Sequence, residues 1–236
     1  MSAVCQCRLA FALWTLCAAL AAALPGCAST TRTTTAAQQP APTDSERRGD
    51  GYYLASCAAC GGLLGTTGPA VTVLYQGREV IVCDQRCRAA FEAALPDAMA
   101  RLDQVMIADQ KPLYPTSFSI VSNRSLPDDA TEFIWMNRLI RVCDADEQST
   151  FLANPEVFIQ KLDRAVIDYR LPRYDIDKCL VQGVELDEDS AVNVVVANRL
   201  LRVCCGDCAA RVRNMPRSRI PNVDFAWARV MRDEPH

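Results

Sequence analysis

Apolar and polar positions along the chain fall into three stretches with one rhythm. In AVTVLYQGREVIVC, TEFIWMNRLIRVC and AVNVVVANRLLRVC, β-branched, aromatic and aliphatic residues run up to a two-residue break and resume beyond it. The breaks are Gln76-Gly77, Met136-Asn137 and Ala197-Asn198. Two β-rich runs around a Gly or Asn turn predict a hairpin. Beyond the first two stretches the spacing becomes helical, with Phe91, Leu95, Met99 and Leu102 in one and Phe151, Phe158 and Leu162 in the other. Each stretch therefore predicts a hairpin followed by a helix. Phe91, Phe151 and Val212 are the expected contacts of helix on hairpin.

The rhythm is an internal repeat, because Cys83, Cys143 and Cys204 close the three stretches 60 and 61 residues apart. Each copy opens with a tyrosine (Tyr52, Tyr114, Tyr174) five residues before CAACGGLL, SIVSNRSL or CLVQGVEL. The fifth position of these octets is Gly61, Asn123 or Gly183, which suits a turn with positive φ. Arg78, Arg138 and Arg199 share one place and predict a salt-bridged buttress of the hairpin or, alternatively, an anion contact. A unit of about 60 residues is close to the size at which a core alone is marginal and a staple is useful.

Half of the 236 residues are apolar and the net charge is −3, which excludes a disordered chain and gives no basic field for nucleic acid. Before the repeats, Arg8 and the apolar run Leu9 to Leu24 have the layout of a signal peptide. Its end, Leu24-Pro25-Gly26-Cys27, resembles the lipobox of bacterial lipoproteins, with Pro25 departing from the usual small residue; the resemblance implies lipidation at Cys27. Alternatives are a simple secretory signal or an uncleaved anchor. All three export the chain. Ala28 to Gly51 turns to Thr, Ala, Gln, Pro and Ser without apolar periodicity, as in a flexible tether. The expected organisation is a signal peptide over 1–26, a disordered linker over 27–51, and modules over 52–110, 111–170 (degenerate) and 171–236.

Copy one carries Cys57-x2-Cys60 on the turn and Cys83-x3-Cys87 where the hairpin runs into the helix. If the hairpin folds back the pairs meet, and four thiolates at such spacings suit a tetrahedral zinc site. Copy three keeps Cys179, Cys204 and Cys208, has Gln182 in place of Cys60, and adds Cys205. Three thiolates leave a fourth position to Cys205, water or a passing ligand, which suits copper(I) as well as zinc. Copy two has Ser119, Cys143 and Glu147, a poor soft-metal set, and is expected to act as a spacer with Cys143 in its core. The competing reading is disulfides, since exported thiols commonly pair; nine cysteines after Cys27 leave at least one unpaired in a monomer. Plain buried thiols are a third reading. His236, the only histidine, ends the chain and is a weak ligand candidate.

With its tyrosine, its four-residue cysteine turn and its Arg-x-[Val/Ile/Leu]-x-Val-Cys-x3-[Cys/Glu] strand end, the repeat resembles the TRASH and YHS-like family of small treble-clef metal-binding modules. That resemblance covers Tyr52 to about Met231. It implies an α+β fold of three tandem ββα, treble-clef-like modules, and heavy-metal binding at Cys57, Cys83, Cys87, Cys179, Cys204 and Cys208. Cys60 and Cys205 are added from spacing.

No nucleophile has a recognisable base and no phosphate-cradling loop is present, so catalysis is not expected. The acidic run Glu185 to Asp189 is a solvated tip rather than a calcium loop. The resulting expectation is an exported, lipid-anchored protein of the cell envelope, on the periplasmic side of an outer membrane or else secreted. It would bind zinc or copper(I) through thiolates for trafficking, storage or tolerance. The alternative is a non-catalytic envelope scaffold, stapled by disulfides or structural zinc, that binds another envelope protein. A thiol-disulfide role for Cys204, Cys205 and Cys208 is a third possibility.

Overall fold

The computed structural model describes residues 46–66 and 68–233; the expected signal peptide, the lipidation site Cys27, the linker up to residue 45 and His236 lie outside the described residues. Among the described residues the fold is α+β, with three two-stranded antiparallel sheets and six α-helices. The strands are β1 (Val71–Tyr75) with β2 (Arg78–Val82), β3 (Thr131–Trp135) with β4 (Arg138–Val142), and β5 (Val192–Val196) with β6 (Arg199–Val203). In register, Val73 faces Val80, Phe133 faces Ile140 and Val194 faces Leu201. Each hairpin turns on two residues with positive φ, the geometry that matches the twist of paired strands.

Each hairpin is followed by two helices where the sequence predicted one. They are α1 (Gln85–Ala93) and α2 (Leu95–Gln110), α3 (Ala145–Ala153) and α4 (Pro155–Arg170), and α5 (Gly206–Asn214) and α6 (Ile220–Asp233). Proline causes the break: Pro96 and Pro155 sit in the first turn of the second helix, and Pro216 opens a short 3-10 turn before α6. A proline cannot donate to the preceding turn and disfavours helical geometry in the residue before it.

Turns 57–61, 119–123 and 179–183 are closed alike, by N–H of Gly61, Asn123 and Gly183 donating to the carbonyls of Cys57, Ser119 and Cys179 at 2.9, 2.8 and 2.8 Å. The positive φ expected at all three is present. Tyr114 and Tyr174 join these segments to the hairpins, their hydroxyls accepting the N–H of Arg141 and Arg202.

Arg78, Arg138 and Arg199 are the predicted buttresses. Each reaches from the start of the second strand to an aspartate on the long helix behind it: Asp103 at 2.7 Å, Asp163 at 2.8 Å and Asp224 at 2.6 Å.

Residues 46–51, expected at the end of the linker, are ordered and central. The segment passes the tips of all three hairpins: Arg48 N–H donates to the Gly77 carbonyl, Asp50 N–H to the Met136 carbonyl, and Ala197 N–H to an Asp50 carboxylate oxygen. Hairpin tips normally lie in water, yet Asn137, Ala197 and Asn198 are fully buried. Their side chains carry the junction: Asn137 Nδ2 donates to the carbonyls of Asp50 and Glu79, and Asn198 Nδ2 to that of Leu139. Gln110 bridges copies one and two, giving a bond to the Asn137 carbonyl and taking one from Leu139 N–H.

Copies one and three share one buried apolar cluster, from Tyr52, Val80, Phe91 and Met106 to Val194, Leu201, Val212 and Val223. Copy two keeps its own, around Ile140, Phe151, Phe158 and Leu162. It therefore does not hold the other two apart, as the spacer reading expected.

Candidate metal centres

Copy one gathers Cys57 and Cys60 from the turn, Cys83 from the residue after β2, and Cys87 from the first turn of α1; their four sulfurs all lie within 4.8 Å of one another. A tetrahedral zinc with bonds of 2.3 Å would set its sulfurs about 3.8 Å apart, and the Cys60 and Cys83 sulfurs are 3.9 Å apart. Asp84 caps α1, accepting from the N–H groups of Arg86 and Cys87, both at 2.9 Å, which fixes Cys87 beside the group.

The electrostatics of this group favour a single thiolate. Burial would raise the Cys57 thiol, but N–H groups of Cys60, Cys83 and Ala59 aimed at its sulfur bring it down to about 7. Burial and the neighbouring sulfurs push Cys83 up to about 12 and Cys87 up to about 11. One thiolate is therefore easy to form and further ones are not, unless a positive ion sits among them.

Copy three gathers Cys179, Cys204 and Cys208, again with all sulfurs within 4.8 Å of one another. Cys204 and Cys208 are 3.8 Å apart. The Cys179 sulfur receives the N–H groups of Val181 and Gln182, each at 3.4 Å. Burial opposes ionisation there, but such contacts still bring Cys179 down to about 7. Proton sharing with Cys179, together with burial, pushes Cys204 up to about 12. Gln182, in the place of Cys60, turns its amide nitrogen to the Cys208 sulfur at 3.5 Å. Cys205 lies 3.9 Å from Cys204 but outside the mutually close set.

Both groups can hold a metal ion, and all-thiol donors are the chemistry of soft or borderline cations. All nine described cysteines are free thiols.

Copy two holds an ion pair where the others hold sulfurs. Glu147, in the place of Cys87 and Cys208, accepts from the Ser119 hydroxyl at 2.6 Å and from Cys143 N–H at 2.9 Å. Arg124 donates to its other oxygen at 2.7 Å and also pairs with Asp144. Burial would raise the Glu147 carboxyl, yet the hydroxyls of Ser119 and Ser122, Cys143 N–H and Arg124 hold it at about 2. Cys143 itself is half-buried and points at the Ser125 carbonyl at 3.6 Å, so it is neither in the core nor part of a sulfur group.

Sequence reasoning missed Arg124. The available signal was reciprocal: an arginine appears where the other copies have Gly62 and Val184, in the same copy in which an acid replaces a cysteine.

No protein-family model matches this chain, and no curated protein or solved structure matches it.

Proposed function

We propose that this is an exported, lipid-anchored protein of the cell envelope that binds zinc or copper(I) through two thiolate sites and serves metal trafficking, storage or tolerance. The observation that carries the reading is the meeting of four sulfurs from three separate elements in copy one, at a spacing that suits a tetrahedral ion. The resemblance of the repeat to TRASH and YHS-like treble-clef modules agrees with it, as does the second group in copy three. On this reading the chain comprises three tandem modules, two of them metal-binding. The copy-one site, with four thiols, holds its ion firmly; the copy-three site, with three, exchanges it. Anchoring rests on the lipobox-like Leu24 to Cys27.

Elemental analysis of the full chain, purified anaerobically without added metal, tests this together with a free-thiol count. About two ions per chain, lost when Cys87 and Cys208 are changed to Ser, support the proposal and identify the ion. No metal and one reactive thiol in denaturant among the nine cysteines after Cys27 mean four disulfides there, and the proposal fails.

A scaffold that docks an envelope protein is the second reading, favoured by one surface. Phe225 and Val184 are 73% and 48% exposed beside a groove of about 600 Å³ along turn 179–183. Copies one and two place Gln104 and Arg164, or Gly62 and Arg124, at those positions.

A further inference from the structure

The three copies allow each residue near the thiols to be compared with its own counterparts. At the N-cap of the helix after the hairpin, copy one has Asp84 and copy two Asp144. Both do what an N-cap aspartate does: Asp84 accepts two backbone N–H groups, and Asp144 accepts Glu147 N–H at 3.0 Å. Copy three has Cys205 there, with the same extended backbone (φ −161°, against −158° and −157°) and no capping bond from its side chain. The carboxylate cap has been exchanged for a thiol, which the N–H groups of Cys208 and Asp207 face only weakly and which lies against the edge of the shared apolar cluster, while the backbone geometry is unchanged.

Position supplies a reason. Cys179 and Cys208 are buried, whereas Cys204 and Cys205 are half-buried neighbours with sulfurs 3.9 Å apart. Cys205 thus stands beside the mutually close trio, next to Cys204 and facing Cys208, on the less buried side of the group. Copy one has no such sulfur, since an aspartate stands at that position.

The geometry points to Cys205 as the exchange ligand of the copy-three site, the sulfur through which the ion enters and leaves; this rests on the metal-binding reading above. In the inner state Cys179, Cys204 and Cys208 hold the ion. In the outward step a bond forms from the ion to the Cys205 sulfur as the bond to Cys179 breaks. Cys205 gives up its proton and Cys179 takes one, so the charge of the site is unchanged. The ion is then held by Cys204, Cys205 and Cys208, one sulfur closer to solvent, where an incoming donor can reach it. No oxidant or reductant is needed.

The test uses the full chain loaded with zinc and mixed with excess chromophoric chelator, comparing wild type with Cys205→Ser and Cys205→Asp. Wild type should release one zinc quickly and one slowly. Cys205→Ser should still bind two zinc ions but lose about tenfold in the fast rate, with the slow rate unchanged. Cys205→Asp should show the same slowing, while its restored cap raises the melting temperature of the metal-free chain; this keeps a stability effect separate from an exchange effect. A fast phase unchanged in both variants would overturn the assignment, and so would the loss of one zinc from the stoichiometry, which would make Cys205 a resident ligand. Failure of wild type to take up any zinc would instead remove the metal-binding reading, and this assignment with it.

Discussion

Asp50 grips Arg138 with both carboxylate oxygens, at 2.6 Å to Nε and 2.9 Å to a terminal nitrogen. The oxygen that meets Nε also accepts Ala197 N–H at 2.7 Å. One carboxylate thus joins the segment before the first hairpin to the second and third. Removing one partner of a buried pair leaves the other charge uncompensated, which costs about 3–5 kcal/mol. Asp50→Ala should fall near the lower end, since Arg138 keeps Asp163 at 2.8 Å. Urea unfolding of the variant should show a lower midpoint without loss of cooperativity.

Gly49 offers a sharper test of the same junction. Its φ is +66°, and a Cβ there would lie 2.4 Å from the Cβ of Met136. Gly183 has φ +70° but open space around it. Gly183→Ala should therefore cost only the left-handed strain of about 1–2 kcal/mol. Gly49→Ala should cost clearly more, because the segment and the second hairpin tip must separate. Similar losses in the two variants would argue against a tight junction.

Acid should weaken copy two within a defined window. The Glu147 carboxyl is held at about 2, against 4.5 ordinarily. A depressed folded value gives stability that is fully present above the unfolded value and is lost as pH falls through the folded one, here from about 4.5 to about 2. Glu147→Gln should cost about 2 kcal/mol near neutral pH, as expected for charge-assisted hydrogen bonds. It should also flatten the dependence between pH 5 and 3 in urea titrations.

Ion uptake in copy one should release protons. Near neutral pH, Cys57 is close to its midpoint of about 7, whereas Cys83 and Cys87, at about 12 and 11, still carry theirs. Binding must displace at least those two, so apparent zinc affinity should rise at least about a hundredfold per pH unit above 7, and more steeply below it. Chelator competition at pH 6.5, 7.5 and 8.5 on a chain carrying Cys208→Ser, which removes a copy-three thiol, would measure the slope.

Much of this was readable from local pattern. Val73 and Val80, or Phe133 and Ile140, advertise a hairpin because alternation within five residues carries the signal. Gly61 and Gly183 advertise a turn because few other residues accept its φ. The thiol groups followed from the hairpin folding back, which brings Cys57 to Cys83. What stayed hidden lies in contacts across copies. Nothing in the polar run before Tyr52 marks Asp50 as a partner of Arg138 or Ala197, because that bond depends on three tips meeting. Arg124 escaped notice because its meaning depends on Glu147, 23 residues away. The divided helices were a misread period: Phe91 and Leu95 keep helical spacing across Ala94, where Pro96 has already ended the first helix.

The junction at Asp50 also sets an order of events in synthesis. Asp50 must wait for Ala197, 147 residues later, a delay of roughly 7 to 30 s at common rates of translation. Until then the carboxylate that holds Arg138 lacks its partner on the third hairpin, and the apolar cluster shared by the first and third copies has only one of its walls. The early part of the chain emerges as an open half-structure, and the last hairpin is the piece that closes it.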